Sequence, residues 1–434
     1  MKKNDKPTIN KKLLTDFAEE VFNPFVKGES ATCMFAAGGG KRTIFKYLLT
    51  EEAVLQKIFK DEYDRTIFVF VDPDEIMDVT SEAYLTLILE NLILEMEKKG
   101  IQAVSSPLIK NPLLLIKKNV EKLLSTNNKL IFVLNDFEFT LNLSINIYLN
   151  LESILDLETK MSSDKSAIGF LFLSTINLFD ESTIKNFQNL KHPLSQNIKY
   201  FPLFGQKEVY YLLDQLRHDD GKSLNIEEKK SIFEMCGGHP RLLKNVFAMI
   251  GKHGIKKILS DYKLKIICAD IWNFFTEKER KIIQSVVTIG RLSDPESDEV
   301  RYLENLGIIK KVAGEKWEVF GTIFKEFVKH KIPKQRLTFD PESKKIFCGS
   351  VSCGNKFSFQ EFRLIVYFLS HENDLTTRDQ VAEAIWGSQY LDKYSDWSID
   401  KIISILRKKL DAIGFPSENL VTLKKRGFTF ANLH

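Results

Sequence analysis

Cysteine is scarce and unpaired in this 434-residue chain: Cys33, Cys236, Cys268, Cys348 and Cys353 form no C-x-x-C pair and no tight Cys/His cluster. That argues against a disulfide framework or a zinc finger and leaves free thiols in a reducing compartment. A redox pair of Cys348 and Cys353, flanking a Gly-Ser turn, is the lesser alternative. No apolar stretch reaches the ~20 residues needed to cross a bilayer. The longest, "AIGFLFLSTINLF", reads as a buried strand and its exit. The opening "MKKNDKPTINKK" is polar and carries no secretory signal, so a cytoplasmic protein with no membrane partner is expected. A large charge of one sign is also lacking, since 62 Lys/Arg face 58 Asp/Glu for a net +4. Any basic surface must therefore be local. No internal repeat of fixed period is found.

What is present is length and apolar content. A chain of 434 residues, 44% hydrophobic, supports several buried cores and is expected to form two to four domains. After an amphipathic helix at 11–26, strand candidates fall at 32–37, 66–75, 129–139, 167–175 and 198–203. The central ones are continuous apolar runs, the mark of strands covered on both faces of a parallel sheet. Helical patterns at 81–100 and 111–124 lie between them, giving an α/β core. From about Gly205 the strand signals stop and helices follow, read as a lid over the carboxyl edge of the sheet. Helix, helix, "LENLGII", a hairpin-like pair and a closing helix then suggest a small winged helix, followed by a linker at 330–345 and a last unit.

The stretch "FAAGGGKRT", residues 35–43, carries the first chemistry. A strand-to-helix loop points backbone N–H groups at an anion, and the helix dipole adds to this. Gly38, Gly39 and Gly40 let the backbone close around phosphate oxygens, and Lys41 is placed to reach β/γ-phosphates. Against the usual Gly-x-x-x-x-Gly-Lys-Ser/Thr, the first glycine is Phe35 and the magnesium-binding hydroxyl is Arg42, with Thr43 one step late. The plain alternative is a glycine turn packing helix on sheet. The strand "LIFVLNDFEF" ends in Asn135, Asp136 and Glu138 and resembles a Walker B strand, whose acidic end holds magnesium and polarises water. If Asn135 takes the usual Asp place, Asp136 is the base. Otherwise Asp136 is the magnesium residue and Glu138 the base. "STIN" (174–177) ends the fourth strand, where a γ-phosphate sensor would sit.

The α/β core, the lid and "GGHPRLL" (237–243) resemble the STAND-type signalling ATPases and their archaeal ATPase and origin-recognition relatives, over roughly residues 15–335. The resemblance implies ATP or ADP at Gly38–Thr43, a lid turn at Gly238, His239 and Pro240 touching the nucleotide, and a winged helix next in the chain. The departures at Phe35, Arg42 and Asn135 bear on hydrolysis more than on binding, so Mg²⁺ use and turnover stay open.

The segments "FSFQEFRLIVYFLSHENDLTTRDQVAEAIWG" (357–387), "WSIDKIISILRKKLDAIG" (397–414) and "NLVTLKKRGFTFA" (419–431) resemble the OmpR-type winged helix of response-regulator effectors, over about 337–434. Ile399, Ile403, Leu406 and Leu410 recur at three- and four-residue spacing and face a core, leaving Lys401, Ser404 and Lys408 outward. The resemblance implies a recognition helix in the major groove and a wing on the backbone, with Lys401, Ser404, Arg407, Lys408, Lys424, Lys425 and Arg426 as the contacts. From residue 394 onward seven Lys/Arg stand against four Asp/Glu, +3 of the net +4, the local excess that phosphate contacts need. Ile402 and Ile405 replace the polar residues frequent on that helix; bare isoleucines would meet thymine methyls or a protein partner. No receiver-domain pattern precedes this unit.

The expected architecture is an α/β P-loop NTPase core (1–204), a helical lid (205–262), a first winged helix (263–335) and an OmpR-type winged-helix domain (336–434). The expected function is a nucleotide-controlled transcriptional regulator binding double-stranded DNA, with a protein partner or self-association on activation. Two rivals remain: an active ATPase of a mobile-element or anti-phage system, and an adaptor whose winged helices bind protein.

Overall fold

The computed structural model describes residues 10–105, 110–161, 167–216, 224–250, 258, 261–312, 314–332, 336–349, 351–387, 395–424 and 426–432. The chain divides into two compact units. The first comprises Met1–Arg280, Asp294–Lys310 and Val319–Phe324; the second comprises Lys281–Ser293, Lys311–Glu318 and Lys325–His434.

In the first unit, β1 (Ala31–Phe35), β2 (Thr66–Val71), β3 (Lys129–Leu134), β4 (Ile168–Ser174) and β5 (Ile198–Phe201) form a five-stranded sheet in the order β2-β3-β4-β1-β5. Every pairing is parallel. The apolar runs explain the order. Every residue of the inner strands β1, β3 and β4 is buried, while the edge strands β2 and β5 keep partly exposed positions. Helices α1 (Lys11–Val26), α2 (Lys41–Leu48), α3 (Glu52–Phe59), α4 (Ser81–Lys98), α5 (Pro112–Ser125) and α6 (Asn146–Met161) connect or cover these strands. Phenylalanine supplies much of the packing between the layers. Phe17, Phe35, Phe45 and Phe201 contact one another edge-on or stacked at centroid distances of 4.7–6.1 Å. Gly169 sits mid-strand because a Cβ there would stand 2.5 Å from the Phe25 ring.

Helices α7 (Lys191–Ser195), α8 (Gln206–Gln215), α9 (Ile226–Cys236) and α10 (Pro240–Ile250) follow, then α11 (Tyr262–Asn273), α12 (Glu277–Thr288) and α13 (Asp298–Asn305). The ribbon of β6 (Ile309–Lys311) and β7 (Trp317–Val319) and α14 (Thr322–Lys331) complete this stretch. The α9–α10 turn needs its glycines. Gly237 and Gly238 have φ of +56° and +83°, and a Cβ on Gly238 would lie 1.9 Å from the Phe204 carbonyl.

In the second unit, the stretch expected to be linker contains structure: β8 (Leu337–Asp340) and β9 (Lys345–Cys348) pair antiparallel, and β10 (Val351–Ser352) adds to β9. These short strands were hidden because Asp340, Pro341 and the charged 342–345 stretch read as loop; the turn is held by Asp340 accepting from the Glu342 N–H and the Ser343 hydroxyl. Helices α15 (Phe359–Ser370), α16 (Arg378–Trp386) and α17 (Asp396–Ala412) and the hairpin of β11 (Leu420–Leu423) and β12 (Gly427–Phe430) share one core. Capping boxes start all three helices, at Ser358, Thr377 and Ser395. Gly427 (φ +133°) lets the hairpin dock on the loop before α16: Phe428 and Thr376 exchange both backbone hydrogen bonds at 2.8 Å, and a Cβ on Gly427 would meet the Thr376 carbonyl at 2.1 Å. All five cysteines are buried and free, and burial raises the thiol pKa of Cys348 and Cys353, which leaves them poor nucleophiles.

Candidate functional site

Strand β1 delivers the glycine loop to the carboxyl edge of the sheet. Phe35 is the last residue of β1, fully buried and stacked on Phe201 with centroids 5.0 Å apart. The loop is therefore Ala36–Gly40, closed by the Gly39 N–H donating to the Ala36 carbonyl at 2.8 Å. Gly38 and Gly40 have φ of +75° and +88°, and Gly40 caps α2 with no side chain in the way. The first-turn N–H groups of α2 thus open onto the end of the sheet.

Because β4 lies between β1 and β3, the ends of all three strands meet around Lys41. This side chain is buried. Its ammonium lies 2.6 Å from Asp136 Oδ1 and 3.6 Å from Glu138 Oε1, and donates to Thr175 Oγ1 at 2.9 Å. Thr175, in the "STIN" segment, gives its own N–H to Glu138 Oε1 at 3.0 Å. Asp136 has φ +46°, a strained turn that swings its carboxylate back to the loop. Glu138 Oε2 and Asn135 Oδ1 are buried acceptors with no hydrogen-bond donor among the described residues.

Arg42 points to β2. Its Nε lies 2.5 Å from Asp72 Oδ2 and its Nη1 3.0 Å from Asp74. Asp72 is fully buried, and Lys46 lies 3.6 Å from the same oxygen. Asn135 Nδ2 donates both to Asp72 Oδ1 at 3.2 Å and to Asp136 Oδ2 at 2.6 Å. Thr43 is exposed and lines the groove beside β2 with Leu55 and Phe68. Asp72 was missed in the sequence. Its signal was the acidic "VDPDE" ending β2, but a strand not adjacent to β1 gave no reason to look there.

The α9–α10 turn packs against the loop. His239 is fully buried and stacked on Phe320, with its Nε2–H donating to the Ala37 carbonyl at 2.7 Å. Pro240 begins α10. Arg241, also unremarked in the sequence, lies against Gly38, where a Cβ would be 3.3 Å from its Cδ, and pairs with Asp270 at 2.8 Å. Burial lowers the His239 pKa to about 4, so the ring is neutral. An unfolded histidine binds its proton near pH 6.5, so this contribution to stability is full above that value and is lost as pH falls toward the folded pKa. Between pH 7 and 5 the loss should be about 2 kcal/mol at 1.36 kcal/mol per unit. Urea unfolding at both pH values should show it for the wild type, with a smaller drop for His239→Gln.

In the second unit, Lys401, Ser404 and Lys408 are exposed on α17, and Lys401 stands 5.0 Å above the exposed Trp397 ring. Lys424 and Arg426 are exposed at the hairpin tip, and Lys425 lies outside the described residues. Arg407 is half-buried and donates to the Leu420 carbonyl and Thr422 Oγ1 of β11. Of the two isoleucines expected to be bare, Ile405 is exposed. Ile402 is partly buried against the core, because its place on the helix lies between the buried Ile399 and Leu406 rows.

These features define a chain that carries a parallel α/β core, with a glycine loop and a lysine at the carboxyl ends of its strands, and a C-terminal winged helix of the transcriptional-regulator, OmpR type. Residues 355–430 match the family described as "Transcriptional regulatory protein, C terminal". The chain is similar to the uncharacterized transcriptional regulatory protein YkoG of Bacillus subtilis (strain 168), 35% identical over 72 residues. That covers 17% of this chain, which spans only 29% of the relative's length. Among solved structures it is similar to the Walker-type ATPase paby2304 of Pyrococcus abyssi (TM-score 0.49, 10% identical, 74% of this chain and 95% of that one). It is also similar to the Aeropyrum pernix ORC2 protein in its ADPNP-ADP complexes (TM-score 0.37, 14% identical, 74% and 94%). A third similarity is to the Klebsiella pneumoniae RstA DNA-binding domain in complex with the RstA box (TM-score 0.19, 28% identical, 24% and 97%). Among the described residues, no helix is long and apolar enough to cross a membrane.

Proposed function

We propose that the protein is a cytoplasmic transcriptional regulator whose grip on double-stranded DNA is set by ATP or ADP at the Gly38–Thr43 loop. The observation that carries this is the convergence on Lys41 of three strand ends, in a loop that the lid also holds through His239. A triphosphate entering the loop would take Lys41 from Asp136 and Glu138, and the lid would follow the loop. A site that exchanges one set of partners for another is the bistable element that coupling requires. DNA would be held by Lys401, Ser404 and Lys408 on the helix and by Lys424, Lys425 and Arg426 on the wing. Arg407 would act by fixing the wing to the helix. Activation would involve a protein partner or a second copy of the chain.

Selection of genomic fragments by the full-length protein with ATP, with ADP and without nucleotide tests this. Enrichment of the same sequence under all three conditions would end the nucleotide-control reading. Hydrolysis should be slow, well under the ~10 per second of a typical enzyme, because Arg42 stands where the magnesium-binding hydroxyl is usual. Fast steady-state phosphate release, lost in Asp136→Ala, would favour the active-ATPase reading instead. The adaptor reading has one observation in its favour: Trp397, 72% exposed, shares its helix with the exposed Ile405. Selection of no DNA at all would leave that reading standing.

A further inference from the structure

We infer that phosphate in this site is neutralised by Arg42 in place of a divalent cation, and that buried Asp72 is the carboxylate holding Arg42 until phosphate arrives. The inference rests on the nucleotide reading above. A metal-dependent loop needs a hydroxyl directly after its lysine and an acidic strand end behind it.

The donors present do not fit a divalent ion. The residue after Lys41 is Arg42, and Thr43 lines the groove beside β2. Asp72, Asp74 and Asp136 do bring carboxylate oxygens within 4.8 Å of one another, the kind of cluster an ion would use. Arg42, however, already holds Asp72 and Asp74, and Lys41 holds Asp136. Asn135 presents its amide hydrogens, not its carbonyl lone pairs, to Asp72 and Asp136. A divalent ion would have to sit beside a guanidinium that cannot lose its proton.

The same contacts make Arg42 exchangeable. A planar guanidinium binds phosphate as readily as carboxylate, through two parallel hydrogen bonds. A fully buried carboxylate stripped of its partner is costly, yet Asp72 would not be stripped. Lys46 waits 3.6 Å from its Oδ2, and Asn135 already donates to its Oδ1. Lys46 would take over the ion pair as Arg42 turns the short distance to the loop. Arg42 adds a second positive charge to that of Lys41 at the phosphates. An aspartate at 135 would add a further carboxylate beside Asp72, Asp74 and Asp136 and compete for Arg42, which Asn135 does not.

Fluorescent-ATP titration of the full-length protein, once with excess EDTA and once with Mg²⁺, decides the point. The dissociation constants should agree within about threefold, well short of the tenfold that 1.4 kcal/mol represents. Arg42→Thr, which restores the hydroxyl and removes the cation, should lose at least about tenfold in EDTA and regain affinity on adding Mg²⁺. Asp72→Asn, which frees Arg42, should bind in EDTA at least as tightly as the wild type. Wild-type binding only with Mg²⁺ would overturn the inference and leave the nucleotide reading intact. Binding under neither condition would overturn both.

Discussion

Lys41→Ala should weaken ATP binding by about a hundredfold, the upper end of the 1.5–3 kcal/mol carried by a hydrogen bond to a charged group. Two effects add. The ammonium proposed to reach the phosphates is lost, and Asp136 and Glu138, now without it, would face the incoming polyanion. Disturbance of the strand ends would contribute as well, since Glu138 is largely buried with one oxygen undonated. Lys41→Ala combined with Asp136→Asn separates these effects, because it relieves the carboxylate repulsion and leaves the missing cation missing. The double variant should recover thermal stability and only a small part of the affinity. Equal affinity of wild type and Lys41→Ala in a fluorescent-nucleotide titration would refute the assignment of this loop.

The second large effect concerns DNA. Replacing Lys424 and Arg426 with alanine should weaken binding to all duplexes alike and flatten the plot of log affinity against log salt by about 1.8, at ~0.9 for each phosphate no longer neutralised. Both side chains are exposed at the tip of a hairpin that docks on Thr376 through the Phe428 backbone, so their removal should leave the domain folded. Ser404→Ala or Ile405→Ala should behave differently and change which sequence is preferred, since in the proposed complex base edges would lie against that face of the helix. An unchanged salt slope in the wing variant would take the wing off the DNA.

Much of this was legible in the chain itself. Continuous apolar runs marked the inner strands, and the amphipathic period over 11–26 marked the helix Lys11–Val26. Glycine, lysine and the acidic end of β3 marked the loop and its opposite wall. What escaped notice depends on strand order. Asp72 ends a strand separated from β1 in the sheet, and only the inserted β3 and β4 explain how Asn135 bridges it to Asp136. Arg241 and the depth of His239 were equally invisible, because a lid's distance from a loop far earlier in the chain leaves no trace in periodicity. The strands at 337–348 were masked by charge, since antiparallel strands with one wet face carry few apolar residues.

The strand end at Ser174–Asn177 is placed to act as a short rocker arm. On one side Thr175 holds the loop lysine; two residues on, Asn177 donates to the buried Glu279 Oε1 at 3.2 Å, and Glu279 in turn accepts from the Thr276 N–H at 2.8 Å. Two residues of extended chain span only about 7 Å, too little slack to absorb a displacement. Glu279 is fully buried, so water is kept from replacing its hold on Asn177. Drawing Lys41 toward a phosphate would tilt this arm and deliver the tilt to the first turn of α12, a transmission made of two side chains and the short backbone between them.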